Sequence, residues 1–454
     1  MDLSATIHLL GELLGEVISA QESSALFETE ERIRALAKAR RAGDESAASG
    51  LAAEVAALDP EMAWGVASAF TLYFDLINLA EEGQRVRSLR QRERERHPAS
   101  IHDSVAEAVA ELKRRGVAFE QMQTLLHDLQ IELVLTAHPT EAKRRTVLSK
   151  LGRISAAIRT LQDSGLLPRE RQACLATLRA EISALWLTDR ARTARPAVTD
   201  EVRTALYFVD EIFWEALPRL YADLDAALAE HYPGLVSPAR WLTLASWVGG
   251  DRDGNPNVTA AVTAETLRLH RGSAVERHRR ALQDMARRFS LSARHVPPQP
   301  ELLAWLDARR PLPAHVAYLE ARYATEPYRL TLALLASDLE TASQDDMTAR
   351  LLSTAPHTAR ARLADFIQPL ELVARATQRL PDDQLPVLRR QFEIFGLHAA
   401  RLDLREDSAQ LTSALGEILR ALKIDLAFEA GDDRARTATL IRLLSEPAPA
   451  LAPH

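Results

Sequence analysis

The chain has 454 residues, 47% of them hydrophobic and 26% charged, which is ordinary for a globular protein. Its length exceeds the size at which one core usually stops growing, so we expect a large barrel or several packed layers. The formal net charge of −7 excludes bulk binding to nucleic acid, and an anionic ligand must be held by locally placed cations. The single cysteine, Cys174, excludes a disulfide framework and favours a reducing, cytoplasmic compartment.

The amino-terminal part of the chain is expected to be helical. Met1–Leu14 lacks a basic start and carries two acidic residues, so it predicts an amphipathic helix and not a signal peptide. No uncharged apolar run is long enough to cross a bilayer. Helical periodicity continues with breaks at Asp59-Pro60 and His97-Pro98. We therefore predict an amino-terminal helical region over residues 1–130.

Three short apolar segments interrupt the helical pattern. They are Glu132–His138, Trp241–Val248 and Phe395–Leu404, and each ends abruptly in polar residues. Buried parallel strands have this pattern, although a turn of buried helix can produce it as well. Long helical stretches follow each segment. The fold class we predict is mainly α with a few parallel strands, forming part of a (β/α) barrel with helical insertions over residues 131–454.

The first segment leads into a histidine followed by three cations. Pro139 disfavours helix at His138 and is well placed to start a helix itself, so His138 is expected at the end of a strand. Active sites of β/α barrels lie at that edge, and an imidazole there can exchange protons near neutral pH. Lys143–Arg145 could attract an anion to the helix start. The alternative is a helix-capping histidine with solvent-facing cations.

The second segment leads into a loop rich in glycine and charge, Ser246–Thr259. Its D-x-D-x-N pattern resembles a calcium loop, but Pro256 stands where that loop needs glycine. Arg252 could contact an anion while Asp251 and Asp253 orient it. The alternative is a purely structural turn.

The third segment places Arg401, Asp403 and Arg405 on one face of a predicted strand. Two guanidinium groups beside one carboxylate on an inward face are costly unless they pair or bind a ligand. Arginine suits bidentate binding of carboxylate or phosphate, so a ligand site and a buried ion-pair ladder both remain open.

Taken together, the motifs TAHPTE, GGDRDGNPNVT and FGLHAARLDLREDS, in this order, resemble the phosphoenolpyruvate carboxylase family. Phe74–Arg87 (FDLINLAEEGQRVR) and Glu326–Arg329 (EPYR) support the resemblance, which spans essentially the whole chain.

The resemblance implies a carboxylase that joins bicarbonate to phosphoenolpyruvate, giving oxaloacetate and phosphate, with Mg²⁺ or Mn²⁺. It implies that His138 is the catalytic histidine and that Arg405 contacts the anionic substrate. Arg252 and Asp253 become secondary substrate-binding candidates, and Arg401 completes the candidate set. The family's (β/α)8 TIM barrel, cytoplasmic location, allosteric regulation and homotetramer are further expectations.

The resemblance also implies a second half that this sequence does not contain. That half holds a mobile glycine- and arginine-rich loop, a further catalytic histidine and the acidic metal ligands. We therefore expect a fragment that is inactive alone and holds no metal with its own residues. The alternative is a short non-catalytic protein that serves as an anion-binding or interaction module.

Overall fold

A computed structural model describes residues 2–136, 143–163, 165–189, 196–343, 361–378, 380 and 384–446. Over these ranges the chain is mainly helical and contains three parallel strands, as the sequence predicts. It divides into two compact units, which are described separately.

The first unit comprises Met1–Ser104 and Pro139–Arg195. Its helices are α1 (Leu3–Gln21), α2 (Ser24–Arg41), α3 (Glu45–Ala56), α4 (Pro60–Arg96), α7 (Arg145–Leu161) and α8 (Pro168–Trp186). Side-chain caps fix the amino-terminal ends of the first four helices. The side-chain oxygens of Asp2, Ser23, Asp44 and Asp59 accept hydrogen bonds from backbone N–H groups in the first turn of each helix. Pro60 follows its cap directly, at a position where the missing N–H costs nothing.

Two helices of this unit, α1 and α4, have the length and apolar composition of a membrane-spanning helix. Their apolar residues nevertheless form the core of the unit, where Leu14, Ile18, Leu72 and Leu76 are at most 4% exposed. Packing against α7 and α8 covers the same faces. Burial against neighbouring helices therefore accounts for the apolar residues on one face of each helix, whereas Trp64 and Phe74 of α4 are exposed.

The second unit comprises Val105–His138 and Pro196–His454. Its helices are α5 (Val105–Arg114), α6 (Phe119–Asp128), α9 (Val198–Phe208), α10 (Trp214–His231), α11 (Ala260–Arg288), α12 (Pro300–Asp307), α13 (Ala317–Arg322), α14 (Pro327–Ser343), α15 (Ala364–Ala376), α16 (Gln384–Phe395), α17 (Ser408–Ala421) and α18 (Asp433–Ser445). A π-helical turn, Val209–Phe213, joins α9 to α10.

A parallel sheet in the order β1-β2-β3 lies within this second unit. It consists of β1 (Ile131–Leu135), β2 (Leu242–Ser246) and β3 (Arg401–Leu402). Leu135 pairs with Ser246, and Ser246 pairs with Leu402, so all three strands end at the same edge. Every residue of β2 is buried, whereas β1 has only partly buried and exposed positions.

The first two predicted strands are confirmed. β1 begins one residue before the predicted start, and residues 137 and 138 of that prediction lie outside the described residues, whereas β2 is shorter at both ends. The third predicted strand was wrong over most of its length. Helix α16 extends to Phe395, and the next five residues form a turn before the two-residue strand β3. Gly396 and Ala399 in that turn have φ of +53° and +60°, a backbone conformation incompatible with a strand. The predicted incomplete barrel remains a prediction.

The division into compact units does not coincide with the predicted domain boundary between residues 130 and 131. Helices α7 and α8 pack on α1 and α4, whereas α5 packs on α10. Segments distant in the sequence therefore share a core in each unit, and a boundary drawn along the sequence cannot represent that arrangement.

Candidate functional site

Two loops meet at the edge where the parallel strands end. The backbone N–H of Asp403 donates to the carbonyl of Ser246 at 2.9 Å. Arg405 N–H donates to Gly250 at 3.0 Å, and Arg252 N–H donates to the Arg405 carbonyl at 2.9 Å. The loop after β2 and the segment after β3 therefore continue the sheet's hydrogen bonding beyond the strands. This brings together two of the motifs identified in the sequence.

Two glycines allow this close approach. Gly249 has φ of +87°, and a Cβ there would lie 2.1 Å from Oγ1 of Thr266. A Cβ on Gly250 would lie 2.2 Å from the carbonyl oxygen of Asp403. Both positions therefore require glycine, the first for its backbone angle and both for lack of space.

Arg405 presents a guanidinium group at this edge. Its Cζ lies 4.5 Å from the centroid of the Trp247 ring, which is a cation–π contact. Nε is 3.6 Å from Oδ1 of Asp251, and Nη2 is 3.8 Å from Oδ2 of Asp253. These separations exceed hydrogen-bond length, and the side chain is 46% exposed. The ring and the two carboxylates thus hold the cation in place while its N–H groups remain available to an incoming anion.

Asp251 is the more constrained of the two carboxylates. Its Oδ1 is buried and accepts no hydrogen bond from the described residues. Burial raises the pKa of Asp251, the hydrogen bond with Asp253 and its negative charge add to that rise, and Arg405 opposes it. The two carboxylates and the guanidinium therefore form one electrostatic group.

Arg252 has a different environment from Arg405. Its Nη2 donates to Oγ1 of Thr263 at 3.1 Å, and Nη1 lies 3.4 Å from Oε2 of Glu406. Thr263 in turn donates to the carbonyl of Gly249 at 2.9 Å. Arg252 therefore connects the two loops to helix α11, and its contacts are those of a residue that supports the site.

Arg401 does not lie on a buried face, and that part of the prediction was wrong. Its side chain is 53% exposed, and Nη2 lies 3.1 Å from Oε1 of Glu132 on β1. The pairing of Arg401 with Ala245 places it on the sheet face opposite Ser246 and Leu402. Arg401 forms an ion pair across the strands, and its contacts are separate from those of Arg405.

His138 lies outside the described residues, so its position relative to Arg405 remains a prediction. The three cations that follow it belong to the first unit. Nζ of Lys143 lies 2.7 Å from Oδ1 of Asp75, Arg144 donates to the carbonyl of Asp189, and α7 begins at Arg145. Lys143 and Arg144 therefore already have partners within that unit.

Trp247 is a residue of this edge that was not predicted from the sequence. Its ring supports Arg405, and its Nε1–H lies 3.3 Å from Oδ2 of Asp403. An aromatic residue directly after a buried strand was the available signal, because it must lie at the same edge as the charged loops.

The described residues do not supply a magnesium site. Within the described ranges, no group of three or more His, Cys, Asp or Glu side chains is arranged to hold a metal ion. Asp251 and Asp253 are only two carboxylates, and they face the positive charge of Arg405. Magnesium is usually held by one or two carboxylates together with waters and substrate phosphates, so the number of carboxylates does not decide the question. The guanidinium of Arg405 already lies beside both of them, and its positive charge makes this pair unsuited to a cation.

Comparison with known proteins decides the family. The family model described as phosphoenolpyruvate carboxylase matches residues 3–454. The chain belongs to the phosphoenolpyruvate carboxylase family. Curated members with that name include proteins from Roseiflexus castenholzii, 36% identical over 98% of this chain, and Thermus thermophilus, 38% identical over 92%. A third, from Rhodothermus marinus, is 34% identical over 99%.

The chain spans about half the length of these curated phosphoenolpyruvate carboxylases. The matched region is 49% of the Roseiflexus protein, 45% of the Thermus protein and 48% of the Rhodothermus protein. The activity of the whole relatives can therefore be carried to this chain only as a proposal.

Proposed function

We propose that this chain supplies the substrate-binding edge of a phosphoenolpyruvate carboxylase, with Arg405 as the group that binds the anionic substrate. The observation that carries the proposal is the arrangement around Arg405: a half-exposed guanidinium, fixed on Trp247 and flanked by two carboxylates beyond hydrogen-bond distance. A planar guanidinium with free N–H groups matches a phosphate or carboxylate in a bidentate manner.

The proposed reaction proceeds in two stages. Bicarbonate attacks the phosphorus of phosphoenolpyruvate, forming carboxyphosphate and leaving the enolate of pyruvate. Carboxyphosphate gives its proton to His138 and separates into carbon dioxide and phosphate. The enolate carbon then attacks carbon dioxide to form oxaloacetate. Nearby positive charge lowers the barrier to bringing two anions together, and Arg405 is proposed to provide part of it.

Asp251 and Asp253 are proposed to fix the direction of the Arg405 guanidinium. Arg252 acts one step further away, since its hydrogen bond to Thr263 and its contact with Glu406 hold the loop that carries the two aspartates. A side chain held in position before the ligand arrives loses less entropy on binding.

A divalent metal ion, Mg²⁺ or Mn²⁺, belongs to the proposal through the family resemblance alone. Since the described residues do not form a ligand set, we place its ligands outside them. A cytoplasmic homotetramer under allosteric control completes the proposal for the full enzyme.

The test joins this chain to the portion of the Thermus thermophilus relative that lies beyond the matched region. Oxaloacetate formation is measured with phosphoenolpyruvate, bicarbonate and Mg²⁺, and circular dichroism checks folding. We expect activity that requires all three components. A folded fusion that binds phosphoenolpyruvate without forming oxaloacetate would contradict the carboxylase proposal and favour an anion-binding module.

A further inference from the structure

The segment Gly396–Ala400, here called the connecting turn, joins helix α16 to strand β3. Gly396 and Ala399 both have positive φ, and Ala399 and Ala400 are at most 4% exposed. A non-glycine residue in the left-handed region is strained and persists only where surrounding contacts enforce it. The contacts that enforce this turn therefore also determine where β3 begins.

Two histidines of helix α11 provide such contacts. Nε2 of His278 lies 2.8 Å from the carbonyl oxygen of Gly396, and Nδ1 of His270 lies 3.1 Å from that of Ala400. They are eight residues apart on the helix and share one face. One histidine thus holds the first residue of the connecting turn, and the other holds its last.

These contacts require opposite tautomers. A carbonyl oxygen only accepts hydrogen bonds, so the nitrogen facing it must carry the proton. His278 is therefore protonated on Nε2, and His270 on Nδ1. The other nitrogen of each ring is buried and has no hydrogen-bond partner among the described residues. Adding a proton there would create a buried N–H without an acceptor, which is unfavourable.

The surroundings keep both rings neutral. His278 stacks on Phe392 at 3.7 Å between centroids and contacts Trp214 at 4.9 Å. Burial lowers the pKa of His278 to about 3, against a weaker opposing effect of the Gly396 carbonyl. Burial also lowers the pKa of His270, which the carbonyls of Ala400 and His398 oppose.

A third histidine, His398, lies within the connecting turn itself. Burial lowers its pKa, and the positive charges of Arg240 and Arg401 lower it further. The cations near the connecting turn therefore disfavour an imidazolium at His398.

We propose that His270 and His278 are positioning residues for Arg405, each acting through a fixed neutral tautomer. Together they hold both ends of the connecting turn, and this sets the register at which β3 meets β2. Ala400 directly precedes β3, and Arg405 follows three residues after its end. The inference rests on the proposed role of Arg405 in substrate binding.

The test uses amide variants that keep or move the donor. The side-chain nitrogen of asparagine corresponds in reach to Nδ1, and that of glutamine to Nε2. His270→Asn and His278→Gln should therefore preserve the contacts, whereas His270→Gln and His278→Asn should lose them. His270→Asn is therefore the matched control for His270→Gln, and His278→Gln is the matched control for His278→Asn.

Two nuclear magnetic resonance measurements on the full chain read the outcome. Imidazole ¹⁵N shifts should give a neutral Nδ1–H form for His270 and a neutral Nε2–H form for His278 at pH 7.5, which is above the usual pKa of a histidine. The Arg405 Nε–H signal, assigned through its loss in Arg405→Lys and shifted by the Trp247 ring, should be kept in the matched variants and displaced in the mismatched ones.

Four folded variants with the same Arg405 signal would overturn the inference. If the mismatched variants fail to fold, the tautomers of the wild-type histidines provide the test. The same tautomer for both residues, or an imidazolium at either residue at pH 7.5, would overturn the inference. Phosphoenolpyruvate titration of the wild type separates the two proposals. If the Arg405 signal responds to the histidine variants but not to phosphoenolpyruvate, the result would contradict substrate binding by Arg405. The positioning of Arg405 by the two histidines would still be supported.

Discussion

Arg405 and Arg401 show how neighbouring arginines on one short segment acquire different roles. Arg401 on β3 pairs with Glu132 on β1, across the central strand β2. Arg405 stacks on Trp247 and keeps its N–H groups free of close acceptors among the described residues. An exposed ion pair such as the first contributes little to stability, typically below about 1 kcal/mol. The second is the arrangement expected of a cation that waits for an anionic ligand.

At the same scale, His138 is predicted to act as the proton acceptor. In the active fusion protein, His138→Asn should lower kcat by about two to four orders of magnitude, because asparagine cannot take a proton. KM for phosphoenolpyruvate should change little. Steady-state kinetics measure both quantities. His8→Asn, at an exposed position of α1, is the control, and an unchanged kcat in His138→Asn would remove this residue from the mechanism.

Glu30 on helix α2 predicts a pH dependence of stability. Burial raises its pKa from 4.5 to about 7, the charge of Glu31 adds to the rise, and Arg34 opposes it. Between these values the folded chain keeps a proton that the unfolded chain has lost, so this residue's contribution to stability decreases as pH rises from 4.5 to 7. Glu30→Gln should remove that decrease.

The free energy of unfolding, measured by urea titration at pH 4.5 and pH 8, tests this prediction. Relative to wild type, Glu30→Gln should gain at most about 3 kcal/mol more at pH 8 than at pH 4.5. Glu28→Gln, at an exposed position on the same helix, should follow the wild-type curve. Parallel curves for Glu30→Gln and wild type would show that the carboxyl group of Glu30 does not titrate in this range.

At the scale of elements, the loop after β2 and the segment after β3 form one unit because two glycines allow backbone contact. Gly250→Ala would place a Cβ against the carbonyl of Asp403, and a carbonyl held in the sheet cannot move aside easily. We expect a loss of about 1–3 kcal/mol in the free energy of unfolding, the usual cost of overpacking.

Gly272→Ala is the matched control for this change, because an added Cβ on this exposed position of α11 meets no atom within 4 Å. It should stabilise the chain by about 0.5–1 kcal/mol, since alanine favours helix. Denaturant titration compares the two variants. Equal effects of both substitutions would mean that the two loops are not held in close contact.

The sequence predicted part of this arrangement for local reasons. Alternation-free apolar runs are typical of buried parallel strands, and they located β1 and β2. The third run, Phe395–Leu404, failed because its backbone depends on His278 and His270, which lie 118 and 130 residues from their carbonyl partners. No local pattern contains that contact. The position of Trp247 directly after β2 indicated which edge of the sheet it occupies, but no local pattern indicated its contact with Arg405.

At the scale of the whole molecule, the family was predictable and the division into units was not. Long motifs identify the phosphoenolpyruvate carboxylase family, and the family match over residues 3–454 confirms it. Each compact unit consists of two separate segments of the sequence, and in the first unit residues 139–195 join the first 104 residues. That arrangement follows from which apolar faces meet in three dimensions, and the order of elements along the chain does not reveal it.

The central claim is that the guanidinium of Arg405 binds the anionic substrate. Isothermal titration calorimetry of phosphoenolpyruvate against the full chain, Arg405→Gln and Arg401→Gln tests it most directly. Charge-assisted hydrogen bonds contribute about 1.5–3 kcal/mol, so Arg405→Gln should weaken binding by roughly 10- to 100-fold. Arg401→Gln should stay within about twofold of wild type, as expected for an exposed ion pair. Equal affinities of the wild type and Arg405→Gln, or an equal loss in Arg401→Gln, would contradict the claim.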